Sequence, residues 1–186
     1  MGRPKIRNRM SSLAAVFVQA IIPRKVDKDT QAALYDRFNI DSKACVYCGQ
    51  AATDQDHFRA IVSGSRPSGY FHTAENIVPS CGPCNQSKGA SDWRVWMEST
   101  TAKNSPTRKN KPGTAERIAL LAAFAGTVDK PSLTADEMRQ AAGAELWDGY
   151  WKKLAEIGQL MDRAQEDADQ ICVALEKRFQ ATLELR

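Results

Sequence analysis

The sequence predicts an α+β fold on three observations. The middle of the chain, from about Ala44 to Trp96, is broken into short pieces by Cys, Gly, Asn, Pro and Ser; two short strand patterns lie inside it; and helical periodicity flanks it on both sides. A length of 186 residues allows one compact domain with extensions. The divisions expected are a basic arm and helical segment over 1–43, a stapled core over 44–98, a basic linker over 99–113 and a helical region over 114–186.

In chain order, residues 1 to 10 carry Arg3, Lys5, Arg7 and Arg9 with no acid, and Ser99 to Gly113 carries Lys103, Arg108, Lys109 and Lys111, again with none. The net charge of +4 is modest, so these local runs are the candidate phosphate contacts. The apolar run Leu13–Ile22 fits helix or strand. It follows a basic start like a secretory leader, but it is short, contains Gln19 and leads to no small-residue cleavage site, so a cytoplasmic protein is expected. No stretch approaches the roughly 20 apolar residues of a membrane span. A helix is expected over Asp29–Phe38.

Toward the C-terminus, Thr134 with Glu137 three residues on forms a capping box. Trp147, Tyr150, Leu154, Ile157, Met161, Ala164, Ala168, Ile171 and Leu175 then alternate by three and four residues, a stripe at about 3.5 residues per turn. After Leu175 the spacing shifts to Phe179 and Leu183, and the small Ala164 and Ala168 weaken the centre. Such a seam fits a helix packed on its own domain or an intermolecular coiled coil. Cys172, inside this helix, reads as a small buried side chain.

The other cysteines form two C-x-x-C pairs, Cys45/Cys48 and Cys81/Cys84, which in a reducing compartment indicate metal ligation rather than disulfides. Four thiolates suit Zn²⁺ in a closed tetrahedral site with no position for water, and so a structural role. Thirty-two residues, 49 to 80, separate the two pairs, enough for a clamped hairpin: strands over Asp54–Val62 and Tyr70–Val78 around the turn-rich Ser63–Gly69. A helix follows Cys84, giving a ββα order held at both ends.

These residues carry a family resemblance. Cys45-x-x-Cys48-Gly49, Asp56-His57, Glu75-Asn76-Ile77-Val78 and Cys81-x-x-Cys84-Asn85-x-x-Lys88-Gly89 together resemble the HNH, or ββα-metal, nucleases, over roughly residues 44 to 96. Asn85 stands where many relatives have His. The resemblance implies a zinc-stapled ββα-metal nuclease core that cuts double-stranded DNA by metal-assisted hydrolysis. His57 is then the general base, since a neutral imidazole accepts a proton from water near neutral pH. Asp56 and Asn85 are implied ligands of a hard catalytic cation, Mg²⁺ or Mn²⁺. They share a site with His57 only if the strand ends there, because neighbouring strand residues point to opposite faces. Asn76 is implied to hold the hairpin loop through backbone hydrogen bonds and so orient His57.

His72 fits a phosphate contact or a strand face, and the second reading is favoured. Arg59, Arg66 and Lys88 fit phosphate contacts, with solvated surface charge the default. The compact chain resembles restriction-type members, for which a homodimer would supply two active sites on a palindrome. A homing or nicking nuclease and a non-catalytic, zinc-dependent DNA-binding module stand as alternatives. A zinc deaminase does not fit, because His72-Thr73-Ala74-Glu75 has the wrong spacing for its H-x-E element.

Overall fold

The computed structural model describes residues 2–184, with side chains through residue 181. The fold is α+β, with helices and two small antiparallel sheets. Two compact units divide the described residues: Val18–Met138, and a second in which the residues before Val18 meet the chain from Arg139 onward.

In the first unit, α1 (Met10–Ile21) ends and α2 (Lys28–Arg37) follows, capped by Asp27, whose carboxylate accepts the Asp29 amide at 3.0 Å. The phenol of Tyr35, on α2, donates to the Ile77 carbonyl at 3.0 Å and ties this helix to the sheet. β1 (Asp54–His57) pairs antiparallel with β4 (Ile77–Ser80), Asp54 opposite Ser80 and His57 opposite Ile77. Between them, β2 (Val62–Ser63) and β3 (Arg66–Pro67) form a separate small hairpin. Its tip residues, Gly64 and Ser65, both have positive φ, 54° and 65°, as a two-residue hairpin turn requires.

The strands are shorter than the sequence pattern predicts. After His57 the Phe58 amide still reaches the Asn76 carbonyl, at 2.8 Å, but Arg59 is captured by the Asn76 side chain and the ladder stops. Residues 70 to 73 therefore do not pair with β1. Beyond Val78, β4 continues to Ser80 because Asp54 pairs with it and the Thr53 amide donates to its carbonyl at 3.0 Å.

α3 (Gly82–Lys88), with Pro83 in its first turn, α4 (Trp93–Glu98) and α5 (Thr114–Ala125) complete the unit. Its core lies where these helices meet β1 and β4: Phe58, Trp93, Trp96, Met97, Leu121 and Phe124 are buried there together with the four cysteines. Residues 99–113 fold against α4. Ser105 is fully buried, its hydroxyl shared between the carbonyls of Met97 at 2.9 Å and Ser99 at 2.6 Å, and Pro106 is fully buried beside it. This leaves Lys103, Arg108 and Lys109 exposed on an anchored loop.

The second unit is built on α7 (Ala144–Glu184), which follows α6 (Ala135–Ala142). The capping box forms as the sequence predicts: the Glu137 amide donates to Thr134 Oγ1 at 3.3 Å and the Thr134 amide to Glu137 Oε2 at 2.7 Å. A 3-10 turn at Ile6–Arg9 lies along α7, with Arg7 donating to the Gly158 carbonyl at 2.7 Å and pairing with Asp162. Arg3 pairs with Glu176. Two of the cations read as phosphate contacts thus meet α7 carboxylates instead, in exposed pairs that are individually weak.

The apolar stripe of α7 divides. Leu154 is buried, as is Trp151 next to Tyr150 in the chain, whereas Ile171, Leu175 and Phe179 are 60, 64 and 65% exposed. The side chain of Leu183 lies outside the described residues. Cys172, expected to be buried, is half-exposed, with its thiol 3.6 Å from Glu176 one turn on.

Candidate functional site

The four cysteines of the two C-x-x-C pairs converge. All their sulfurs lie within 4.8 Å of one another, and Cys48 Sγ is 3.6 Å from Cys81 Sγ. Sulfurs around one tetrahedral Zn²⁺ at about 2.3 Å would stand about 3.8 Å apart. Each pair sits in a tight backbone turn. In the first, the Cys45 amide donates to the Gln50 carbonyl at 2.7 Å, and Gly49 takes a φ of 75° that a side chain would strain. In the second, Cys81 precedes α3 and Cys84 lies in its first turn.

Four sulfur donors this close suit a single metal ion. Hydrogen bonds from Cys45 and Cys84 pull the Cys48 thiol down to about 3, while the sulfurs of Cys45 and Cys48, with burial, push Cys84 far up. Four sulfurs this close share few protons comfortably. The cluster is therefore placed to bind one metal ion and is compatible with structural zinc.

Lys88, the last residue of α3, is 1% exposed, which overturns both the surface and the phosphate-contact readings of it. Its ammonium lies 3.0 Å from Asp56 Oδ2 and donates to the His57 carbonyl at 2.8 Å. Asp56 Oδ2 also accepts the Tyr47 phenol at 2.7 Å. Tyr47 stands between the first two cysteines, so this network links the cysteine cluster to β1. Burial pushes the Asp56 carboxyl up, opposed by the Lys88 charge and the Tyr47 hydrogen bond. Burial, then the Asp56 charge, holds the Tyr47 phenol protonated well above its ordinary range.

β1 ends at His57, but Asp56 and His57 take different partners, as strand alternation requires. Asp56 turns toward Tyr47 and Lys88. His57 turns to His72, Nε2 to Nδ1 at 3.0 Å, with ring centroids 5.0 Å apart at 69°. Burial foremost, then the nearby charges of His72, Lys88 and Arg24, lowers His57 to about 4. Burial and Arg24 lower His72 as well. Both imidazoles are thus neutral at ordinary pH. The strand-face reading of His72 does not hold, since its backbone makes only an isolated bridge, to Arg24.

No family model matches the chain, and neither does any curated protein or solved structure. The weight of any functional reading therefore rests on the residues themselves.

Asn76 is 1% exposed and spends its amide on backbone. Its Oδ1 accepts the Arg59 amide at 2.7 Å, and Nδ2 donates to the carbonyls of Arg59 at 3.0 Å and Phe71 at 2.9 Å. It thereby joins the residue two after His57 to the residue just before His72. Asn76→Ala would leave these buried groups unpaired and is expected to destabilise the first unit by at least about 2 kcal/mol, read by urea denaturation. A loss under about 0.5 kcal/mol would mean that solvent replaces the clamp.

Asn85, on the exposed side of α3, donates from Nδ2 to the Gln55 carbonyl at 3.4 Å, which sets it beside β1 one residue from Asp56. Arg59 is also engaged, pairing with the α4 cap Asp92 at 3.0 Å. Of the residues important here, sequence reasoning passed over Tyr47 and undervalued Lys88 and His72. Tyr47 inside the first C-x-x-C, Lys88 one helical turn after Cys84 and the second of only two histidines were the available signals.

Proposed function

We propose that the chain is a metal-dependent endonuclease that hydrolyses double-stranded DNA, of the HNH type and most like its restriction enzymes. The observation that carries this reading is His57: an imidazole at the end of a strand, kept neutral by burial, its flanking backbone fixed by Asn76 and by Lys88. A neutral, oriented imidazole is what a general base for water requires. The surrounding order supports it, because β1, β4 and α3 come in that chain order, with one cysteine pair before β1 and the other at the start of α3. In this reading zinc fills the cysteine cluster.

Asp56 and Asn85 are the proposed holders of Mg²⁺ or Mn²⁺. Their donors suit a hard cation: the Asn85 amide bonds Gln55 through nitrogen, which leaves its oxygen, and Asp56 is a carboxylate whose Oδ2 is held by Tyr47 and Lys88. When bound, the cation would neutralise charge on the phosphoryl oxygens and the departing 3′ oxygen, giving 5′-phosphate and 3′-hydroxyl ends. The Lys88 ammonium on the same carboxylate weakens cation binding, so millimolar metal is the appropriate assay condition. Two copies would cut both strands of a palindrome, and the exposed Ile171, Leu175 and Phe179 offer apolar surface for pairing.

The test is to incubate zinc-loaded protein and His57→Ala with plasmid and genomic DNA, modified and unmodified, in Mg²⁺ or Mn²⁺, and to map cuts by sequencing. Discrete cuts at one motif, reduced at least about 10²-fold in the variant, are expected. Scattered nicks would indicate a nonspecific nuclease. DNA binding without cutting in either metal would leave a zinc-held DNA-binding module.

A further inference from the structure

The C-terminal half of α7 keeps one apolar face uncovered. Around the helix, Leu160, Ala164, Ala168, Ile171, Leu175 and Phe179 fall within about 100° of one another. The N-terminal arm lies on a different face, about a third of a turn round. There Arg7 meets Gly158 and Asp162, the Ile6 amide donates to Gln165 Oε1 at 2.7 Å, and Arg3 pairs with Glu176. Leu160, Ile171, Leu175 and Phe179 are left exposed, with the half-buried Ala164 and Ala168 among them. We propose that this face is covered by the same face of a second copy of the chain, running antiparallel, with the twofold axis beside Ile171 and Cys172.

Side-chain size selects this register. In a parallel, in-register pair each alanine would face its own copy and leave a void, because knobs of like size meet in every layer. An antiparallel pair centred between residues 171 and 172 instead sets Ala168 against the partner's Leu175 and Ala164 against the partner's Phe179. Each contact occurs twice, as an isologous interface requires. The alanines that weaken the heptad seam of a single helix thus become the holes that two large side chains need.

Charge selects the same orientation. Residues 162–169 carry Asp162, Glu166, Asp167 and Asp169 against Arg163 alone, whereas residues 174–181 carry Lys177 and Arg178 against Glu176. The arm already engages Asp162 and Glu176, which leaves the acidic excess in the first segment and the basic excess in the second. Antiparallel packing lays each acidic segment along a basic one. Parallel packing would lay acid on acid and base on base, a repulsion that disfavours it.

The overlap, from 162 to 181, spans about 30 Å of helix. An interface of that length is small, so a dissociation constant on the order of 10 µM is expected. The pairing stands whether or not the chain cuts DNA, and its test reads no cleavage.

Sedimentation of the full, zinc-loaded chain is expected to show a monomer–dimer equilibrium. Leu175→Asp should keep the helical circular dichroism and weaken the dimer at least about 10²-fold, since two carboxylates would be buried. Ala168→Leu should weaken it about 10-fold or more by crowding the partner's Leu175. Combining Ala168→Leu with Leu175→Ala should recover association, because each layer again holds one large and one small side chain. In a parallel pair Ala168→Leu would fill a void, so a tighter dimer overturns the register. Spin labels give an independent reading. A label on Cys172 is expected close to its mate, whereas one on Gln180→Cys, in a Cys172→Ser background, is expected about 25–30 Å from its mate, because position 180 then lies opposite 163. Two short distances would show a parallel pair and overturn the proposal. A dimer that survives Leu175→Asp places the contact elsewhere and overturns it too, as does a chain that stays monomeric at about 300 µM.

Discussion

Chelating the metal of the four-cysteine cluster is expected to unfold Val18–Met138. The cluster is not an ornament on a finished core, because Cys45, Cys48, Cys81 and Cys84 belong to the same buried assembly as Phe58, Trp93, Trp96 and Phe124. The strands available to that assembly span four residues at most, too little pairing to hold the polypeptide between the cysteine pairs. Structural zinc contributes on the order of 10 kcal/mol in small sites, more than the whole stability of many domains. Equimolar zinc is expected in purified protein. Its removal should erase the near-ultraviolet circular dichroism of Trp93, Trp96 and Tyr47, while α7, which holds no cluster residue, keeps much of its helical signal. Cys81→Ser should behave as the stripped protein does. A metal-free chain with an unchanged near-ultraviolet spectrum would remove the structural role.

Lys88→Met is expected to destabilise the same unit by about 3–5 kcal/mol, the cost of leaving a buried carboxylate without its countercharge. Asp56 then keeps the Tyr47 phenol and the His57 backbone as donors but has no cation beside it, and the His57 carbonyl loses a donor. Replacing both ions should recover most of the loss, since an apolar pair of similar volume avoids desolvating either charge. Lys88→Met combined with Asp56→Leu is therefore expected to lie close to wild type in urea denaturation yet to cut no DNA. Tyr47→Phe, which removes one hydrogen bond, should cost only about 1–3 kcal/mol. If Lys88→Met alone costs less than about 1 kcal/mol, water reaches Asp56 and the ion pair is not a structural strut.

The positions of these charges show where sequence reasoning reaches its limit. Lysine is the residue least often buried, so Lys88 reads as surface until the fold places it at the end of α3 against β1. His72 likewise carries no local signal. Fifteen positions separate it from His57, and only the capture of Arg59 and Phe71 by one asparagine brings the two rings together. The same capture shortens the strands relative to their pattern, because a side-chain amide competes with the ladder for backbone groups.

Local chemistry, by contrast, was legible directly. Two C-x-x-C pairs point to one shared metal-binding site, since each spacing turns both sulfurs one way, and the four sulfurs do converge. The Thr134–Glu137 box and the three-and-four stripe of α7 depend on neighbours within a turn, and both helices appear where the pattern placed them. How far the stripe is covered is a different matter: Leu154 is buried, Trp147, Tyr150 and Ile157 are half-buried, and Ile171, Leu175 and Phe179 are exposed, a division that periodicity does not encode. By itself, then, the sequence determined the α+β class, the four-cysteine cluster and the helices α2, α6 and α7, because those follow from short-range spacing. Only the tertiary structure decided which charges are buried, which imidazoles meet and which half of the seam is covered, because each of these depends on residues far apart in the chain arriving at the same place.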